Sequence, residues 1–184
     1  LGGTIFSLSG WIHIPLVNAM ARRWGQINAL KVCLSAGIAG GIARWFLYQP
    51  TSPYLQLVEP FISYPAATGF WVLISSLKAD ICDWDELDSG LRREATFAAV
   101  SGWLQKLASA LTFALTALYL VSIGFEQRLG GGQSAATLTL LRVGFSALPI
   151  VVFGAGIVLI GRYPLTAEVM GKVRHDLELR RGVR

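Results

Sequence analysis

Lys106 is the residue of this sequence most in need of a chemical reason. It is the only charge between Glu94 and Glu126. At a helical rise of 1.5 Å per residue it sits about 18 Å from the charged position at Glu94, too deep to snorkel to water. An ammonium group at that depth is costly, and such groups usually face an opposite charge, an ion or a substrate path. Gln105 precedes it, and Ser101, Ser109 and Thr112 add polar atoms along the same segment. No acid of this chain is expected at the same depth, so its partner is expected elsewhere in the protein or in another chain. A lysine paired with an acid of a neighbouring helix purely for packing is the competing reading.

The densest polar feature follows Leu77: Lys78, Asp80, Asp83, Asp85, Glu86, Asp88, Arg92, Arg93 and Glu94. Asp80 and Asp83 are three apart and share a face if a helix continues through them, within reach of Arg92 and Arg93. A solvated loop is the plainer reading. The segment lacks the ligand spacing and central glycine of a calcium loop. His13 lies in the middle of an apolar run, where it serves a helix–helix hydrogen bond more readily than proton transfer. Trp71, also in mid-run, suits packing or the apolar face of a sugar. Arg44 and Arg142 lie near segment ends and are expected to reach the headgroup region, with Trp45 and Trp84 as interfacial anchors. Cys33 and Cys82 are unpatterned, so neither a disulfide nor a metal site is implied. Nucleophilic triads, phosphate loops and metal-ligand clusters are absent from the sequence; nothing points to an enzyme or to a metal held within this chain.

The elements that must hold these residues are membrane helices. Of 184 residues 53% are apolar and only 15% charged, with mean hydropathy +0.53. This excludes a disordered chain, a disulfide scaffold and a nucleic-acid-binding domain, despite the net charge of +5. A helix needs about 20 apolar residues to cross a bilayer. Five segments qualify, over about 2–20, 32–48, 61–77, 97–123 and 143–161, giving an all-α membrane protein of five transmembrane helices. Residues 1–166 then form a partial bundle and 167–184 a basic tail. Gly37, Gly40 and Gly41, with Pro15, Pro65 and Pro149, suit close helix approach in lipid.

One set of loops carries Arg22, Arg23, Lys31, Lys78, Arg92, Arg93, Arg162, Lys172, Arg174, Arg180, Arg181 and Arg184; the alternate set carries only Arg128. The positive-inside rule places the richer set, and the C-terminus, in the cytoplasm of a multi-pass protein of the cell (inner) membrane. The tail over 167–181 reads as a short helix with Val169, Val173 and Leu177 on one face, resting on the membrane or on the protein. The chain starts at Leu1 rather than Met and enters an apolar run without a basic leader, which is expected of a piece of a longer protein.

Residues 78–106, KADICDWDELDSGLRREATFAAVSGWLQK, resemble the glycoside–pentoside–hexuronide:cation symporters, the melibiose-carrier branch of the major facilitator superfamily. The resemblance rests on Ala79-Asp80, Asp83-Trp84, Glu86, then Gly90, Arg92 and Glu94, then Gln105-Lys106. Ala21-Arg22-Arg23-Trp24-Gly25 is similar to a short basic loop of that family, with fewer basic residues than is common there. Arg162-Tyr163-Pro164-Leu165-Thr166 is similar to its ending. The resemblance implies helices eight to twelve of a twelve-helix major facilitator fold, the remainder forming the missing N-terminal bundle. It implies secondary active transport of a sugar or glycoside, coupled to Na+ or H+, with no organic cofactor. It further implies that Lys106, with Gln105, lies near the cation site and meets acids of the N-terminal half. Trp71 would line the sugar cavity, and Asp80, Asp83, Glu86, Arg92 and Glu94 would form a cytoplasmic gate network. A non-transporting five-span interaction or scaffold protein is the alternative.

Overall fold

Three glycines decide how closely the helices meet. In the computed structural model, which describes residues 2–49 and 53–182, with side chains at 10–49 and 54–182, they lie on α2 (Gln26–Leu47). A Cβ at Gly37 would come within 2.8 Å of Ala66 Cβ, one at Gly40 within 2.7 Å of Ser63 Cβ, and one at Gly41 within 2.9 Å of Ile150 Cγ1. No side chain fits at those distances. The glycines therefore let α2 lie directly against α3 (Glu59–Ser89) and α5 (Ala135–Gly161). This is how small residues hold helices together in lipid, where burial of apolar surface gives no net attraction between them.

Around this seam α1 (Gly2–Trp24) packs on α2 and α3. Val17, Ala29, Leu30, Cys33, Leu34, Leu73 and Leu77 form the buried core, with Phe153 and Ile157 of α5 packed against it. Both cysteines are buried and free. Short 3-10 turns at Pro53–Leu57 and Gln127–Gly132 lie between α2 and α3 and between α4 and α5. α4 (Glu94–Ser122) differs from its neighbours: it touches α3 only lightly and has no buried residue. Its apolar side chains, among them Trp103, Leu111 and Phe113, stand exposed. α6 (Ala167–Arg181) is a tail helix docked on α3.

The described residues contain helices and no strand. Four helical stretches are long and apolar enough to cross a membrane: α2, α4, α5, and α3 with the 3-10 turn before it. α1 is a helix of 23 residues where the first span is expected, but it is not among those four, and His13, Pro15 and Asn18 break its apolar run. Leu1, where the sequence starts, and Arg184, counted in the topology argument, lie outside the described residues.

α1 runs to Trp24 and α2 starts at Gln26, four residues later and six earlier than expected, and two boundaries differ more. The third span does not end in a loop near Leu77. α3 continues for 31 residues to Ser89, where Gly90, at φ 72°, ends it in the left-handed conformation. A helix of that length rises about 46 Å, against a bilayer core of about 30 Å. Its charged end therefore projects beyond the apolar layer. α5 starts at Ala135 rather than near Val143, because Ser134 caps it by accepting from the Thr137 amide. Arg142 consequently lies inside α5 rather than opening it.

Candidate functional site

The overhang of α3 carries the acidic residues singled out in the sequence, and α6 lies against it. Met170, Val173 and Leu177 of α6 are buried, packed with Leu87 of α3 and with Leu165. Spacing of three and four residues puts these on one face. Val169, expected on that face, is 38% exposed, so Met170 takes its place. The docking face leaves Arg174 and Arg181, seven residues apart, aligned along one edge. Arg174 donates to Asp80 at 2.6 Å, and Arg181 to Glu86 at 2.6 Å. Arg180 donates to the Leu87 carbonyl at 2.7 Å. Three contacts thus strap the tail helix onto α3, so it rests on the protein.

The expected partners of the acids are rearranged accordingly. Asp80, buried to 4% exposure, is paired with Arg174 of the tail, not with Arg92 or Arg93. Arg93 instead forms a two-point ion pair with Asp85, a residue outside the expected network. Arg92 bonds Glu94 at 2.5 Å and lies 4.0 Å from Glu86. Asp83 is half-buried and makes no ion pair among the described residues. Asp85 and Arg93 stand in the polar cluster read from the sequence, but their pairing with each other is not legible there, because it depends on the αL turn at Gly90, which folds Arg93 back over the last turn of α3. Arg174 and Arg181 were missed as partners, although their seven-residue spacing beside an apolar stripe was visible.

The electrostatics follow the pairing. The Arg181 hydrogen bond holds the Glu86 carboxyl below its ordinary value, helped by the charges of Arg181 and Arg92 against a smaller opposing effect of desolvation. The carboxylates of Glu94, Asp85 and Glu86 raise Arg92, Arg93 and Arg181 respectively. Glu86 joins α3, the turn at Arg92 and α6 in one ionic chain: Glu94–Arg92–Glu86–Arg181. Beside it runs Asp80–Arg174. Apart from Arg92–Glu94, where both partners are exposed, these links join surface-accessible arginines to less exposed acids, a geometry that can break and re-form without leaving both charges in lipid.

Deeper in the bundle, Lys106 and Gln105 lie on exposed surface of α4. Neither has a hydrogen bond or ion-pair partner among the described residues, and the two stand on the element with the least support from the rest of the chain. Trp71 is 54% exposed, meeting Phe70 edge-on with centroids 5.5 Å apart. No hydrogen bond joins it to α4 among the described residues. The expected coupling residues are therefore presented on surface of this chain, not gathered into an enclosed site. His13 is buried and meets the Tyr64 ring at 5.3 Å, in keeping with a helix–helix role.

At the opposite end of the helices the expectation of snorkelling arginines fails. Arg44 donates to Glu59 at 2.9 Å and to the Phe145 carbonyl at 3.3 Å, and Tyr48 donates to the same Glu59. Arg142 lies over the Trp45 ring at 4.7 Å and donates to the Trp45 carbonyl. These contacts cross between α2, α3 and α5, so both guanidinium groups turn inward to bind helices together. Glu59 was not singled out in the sequence; its signal was an opposite charge just across a short turn from Arg44.

Comparison with known proteins agrees with this all-helical arrangement. The family model described as MFS/sugar transport protein matches residues 1–167. An uncharacterized symporter of Synechocystis is 30% identical over 145 residues, covering 77% of this chain and 27% of that protein. An isoprimeverose transporter of Lactiplantibacillus pentosus is 26% identical over 159 residues, covering 86% of this chain and 32% of that protein. An uncharacterized symporter of Bacillus subtilis is 24% identical over 174 residues, covering 92% and 36%. The chain thus spans about a third of the length of these curated relatives. No solved structure matches it. The chain is an integral multi-pass membrane protein segment and belongs to the MFS/sugar transport protein family.

Proposed function

We propose that this chain is the C-terminal part, helices eight to twelve, of a twelve-helix carrier that moves a sugar or glycoside together with Na+ or H+. The observation that carries this reading is the family match over residues 1–167. The bare surface of α4 supports it. An apolar helix with no buried residue and a mid-length lysine calls for a second bundle to supply packing and a countercharge. In this reading α1 crosses the membrane as the first of five spans, and the tail faces the cytoplasm of the cell membrane.

Mechanistically, the substrate binds near the midplane between two bundles, which rock about it. Lys106 faces the carboxylates of the missing bundle there. A bound cation and the lysine ammonium compete for the same negative charge, so occupancy by the cation changes what Lys106 can pair with. That exchange is how a cation site can be coupled to a sugar site beside it. Gln105 supplies amide donors and an acceptor suited to sugar hydroxyls or a cation shell, and Trp71 an apolar platform for a sugar ring. The α3–α6 network, with Asp80, Asp83, Glu86, Arg92 and Glu94, forms the cytoplasmic gate. Its ion pairs favour one conformation and are released in the other, and a difference in stabilisation between two states is what alternating access requires. Isoprimeverose, named for the Lactiplantibacillus relative, is the first substrate to probe.

The test is uptake of labelled glycosides by vesicles bearing the intact carrier, with and without an imposed Na+ or H+ gradient. Gradient-dependent accumulation of at least one sugar is expected. Gradient-independent equilibration, or no uptake of any sugar by correctly inserted protein, overturns the proposal.

A further inference from the structure

A cleft of about 800 Å³ opens where the α1–α2 turn meets the junction of α5 and α6. Four basic side chains, Arg22, Arg23, Lys31 and Arg174, and two acids, Asp80 and Glu168, line it. Both acids are already engaged, Asp80 by Arg174 and Glu168 by Lys172. Arg22, Arg23 and Lys31 have no acidic partner among the described residues. Lys31 is half-buried and stretches from α2 toward Gly161 at the end of α5. Basic residues held this close repel one another unless an anion joins them.

The backbone favours an anion at the same place. α2 begins at this cleft behind Gly25, which has no side chain to cap it, so the first amides of the helix keep their donors. The cleft lies at the basic ends of the helices, at the level of lipid headgroups, and Trp24 stands half-exposed on its wall, as interfacial tryptophans do. α4, the surface left for a second bundle, takes no part in it.

We propose that this cleft binds the headgroup of an anionic phospholipid from the adjoining leaflet, with its phosphate on Arg22, Arg23 and Lys31. The site requires only that the helices lie in a membrane, and is independent of the transport reading.

The test is native mass spectrometry of the intact, delipidated protein in neutral detergent, titrated with phosphatidylglycerol, phosphatidylcholine or inorganic phosphate. Phosphatidylglycerol should be retained at least about tenfold better than phosphatidylcholine, which carries no net charge, with excess inorganic phosphate failing to displace it, since phosphate lacks the acyl chains (tenfold being about 1.4 kcal/mol). Arg22→Gln/Arg23→Gln/Lys31→Gln should remove the preference. A charge-matched control, Lys78→Gln/Arg128→Gln/Arg162→Gln, whose residues lie outside the cleft, should keep it. Equal loss in both variants would mean general surface attraction and overturns the site. Displacement by inorganic phosphate assigns the cleft to a free anion and overturns the lipid. If the triple variant does not fold, Lys31→Gln alone decides: about threefold weaker retention supports the site, and unchanged retention overturns it.

Discussion

Replacing Arg174 by glutamine should release the tail helix from α3. Asp80 is nearly inaccessible while Arg174 is about half exposed, at side-chain values of 6% and 53%. Exposed ion pairs contribute about 0.2–1 kcal/mol. Removing one partner of a fully buried pair costs about 3–5 kcal/mol, because the other charge is left unpaired. This pair is buried on one side only, so the loss falls between, at about 1–2 kcal/mol. That is a factor of about 5–30 in the undocked population. The remaining hold on α6 is modest: three buried apolar side chains and the contacts of Arg180 and Arg181. A 15-residue helix has little stability of its own in water. Undocking can be read with V173C, since position 173 is only 5% exposed in the docked state, by its rate of labelling with a membrane-impermeant maleimide. R174Q should raise that rate about 5–30-fold, and D80R together with R174D should bring it back toward the parent. An unchanged rate in R174Q would refute the reasoning, as would a fast rate in the parent.

Acid should act through the same strap. Because Arg181 lowers the Glu86 carboxyl, the pair stabilises docking above the ordinary carboxylate value of 4.5 and is lost only as pH falls below it, through the depressed value. The share of the acid-induced rise in V173C labelling that E86Q removes should therefore appear below pH 4.5; a rise centred near neutrality would contradict the assignment. G40L should lower stability by about 1–3 kcal/mol through overpacking against Ser63, while G154A, with open space around it, should leave the thermal unfolding midpoint unchanged. Equal shifts would show that the α2–α3 seam is not close-packed. At the other end of the bundle, R44M should destabilise more than E59Q, because it leaves the less exposed carboxylate unpaired. Thermal unfolding reads the difference, and the reverse order would contradict the inward pairing of Arg44.

Helical spans were legible because long uncharged runs admit few alternatives in a bilayer. Their ends were not, since they depend on local chemistry: Gly90 stops α3 twelve residues past the expected end, and Ser134 starts α5 eight residues early. The acidic cluster was visible as a cluster, but its pairing was not. Asp80 finds Arg174, 94 residues away in sequence, only because an apolar stripe docks α6 beside it. The same limit applied to Arg44. Snorkelling is the default for an isolated arginine near a span end, and it gives way when Glu59 is brought alongside by a short turn. Lys106 stood out from the start because its cost does not depend on tertiary detail. Its exposed position on α4 keeps the question of its partner where the sequence put it, outside this chain.

The most direct measurement of the central claim uses K106A in the intact carrier. Membrane insertion is followed by surface labelling, and sugar accumulation by uptake against an imposed cation gradient. The account predicts normal insertion with gradient-driven accumulation abolished. Accumulation equal to the parent, at equal insertion, would contradict it.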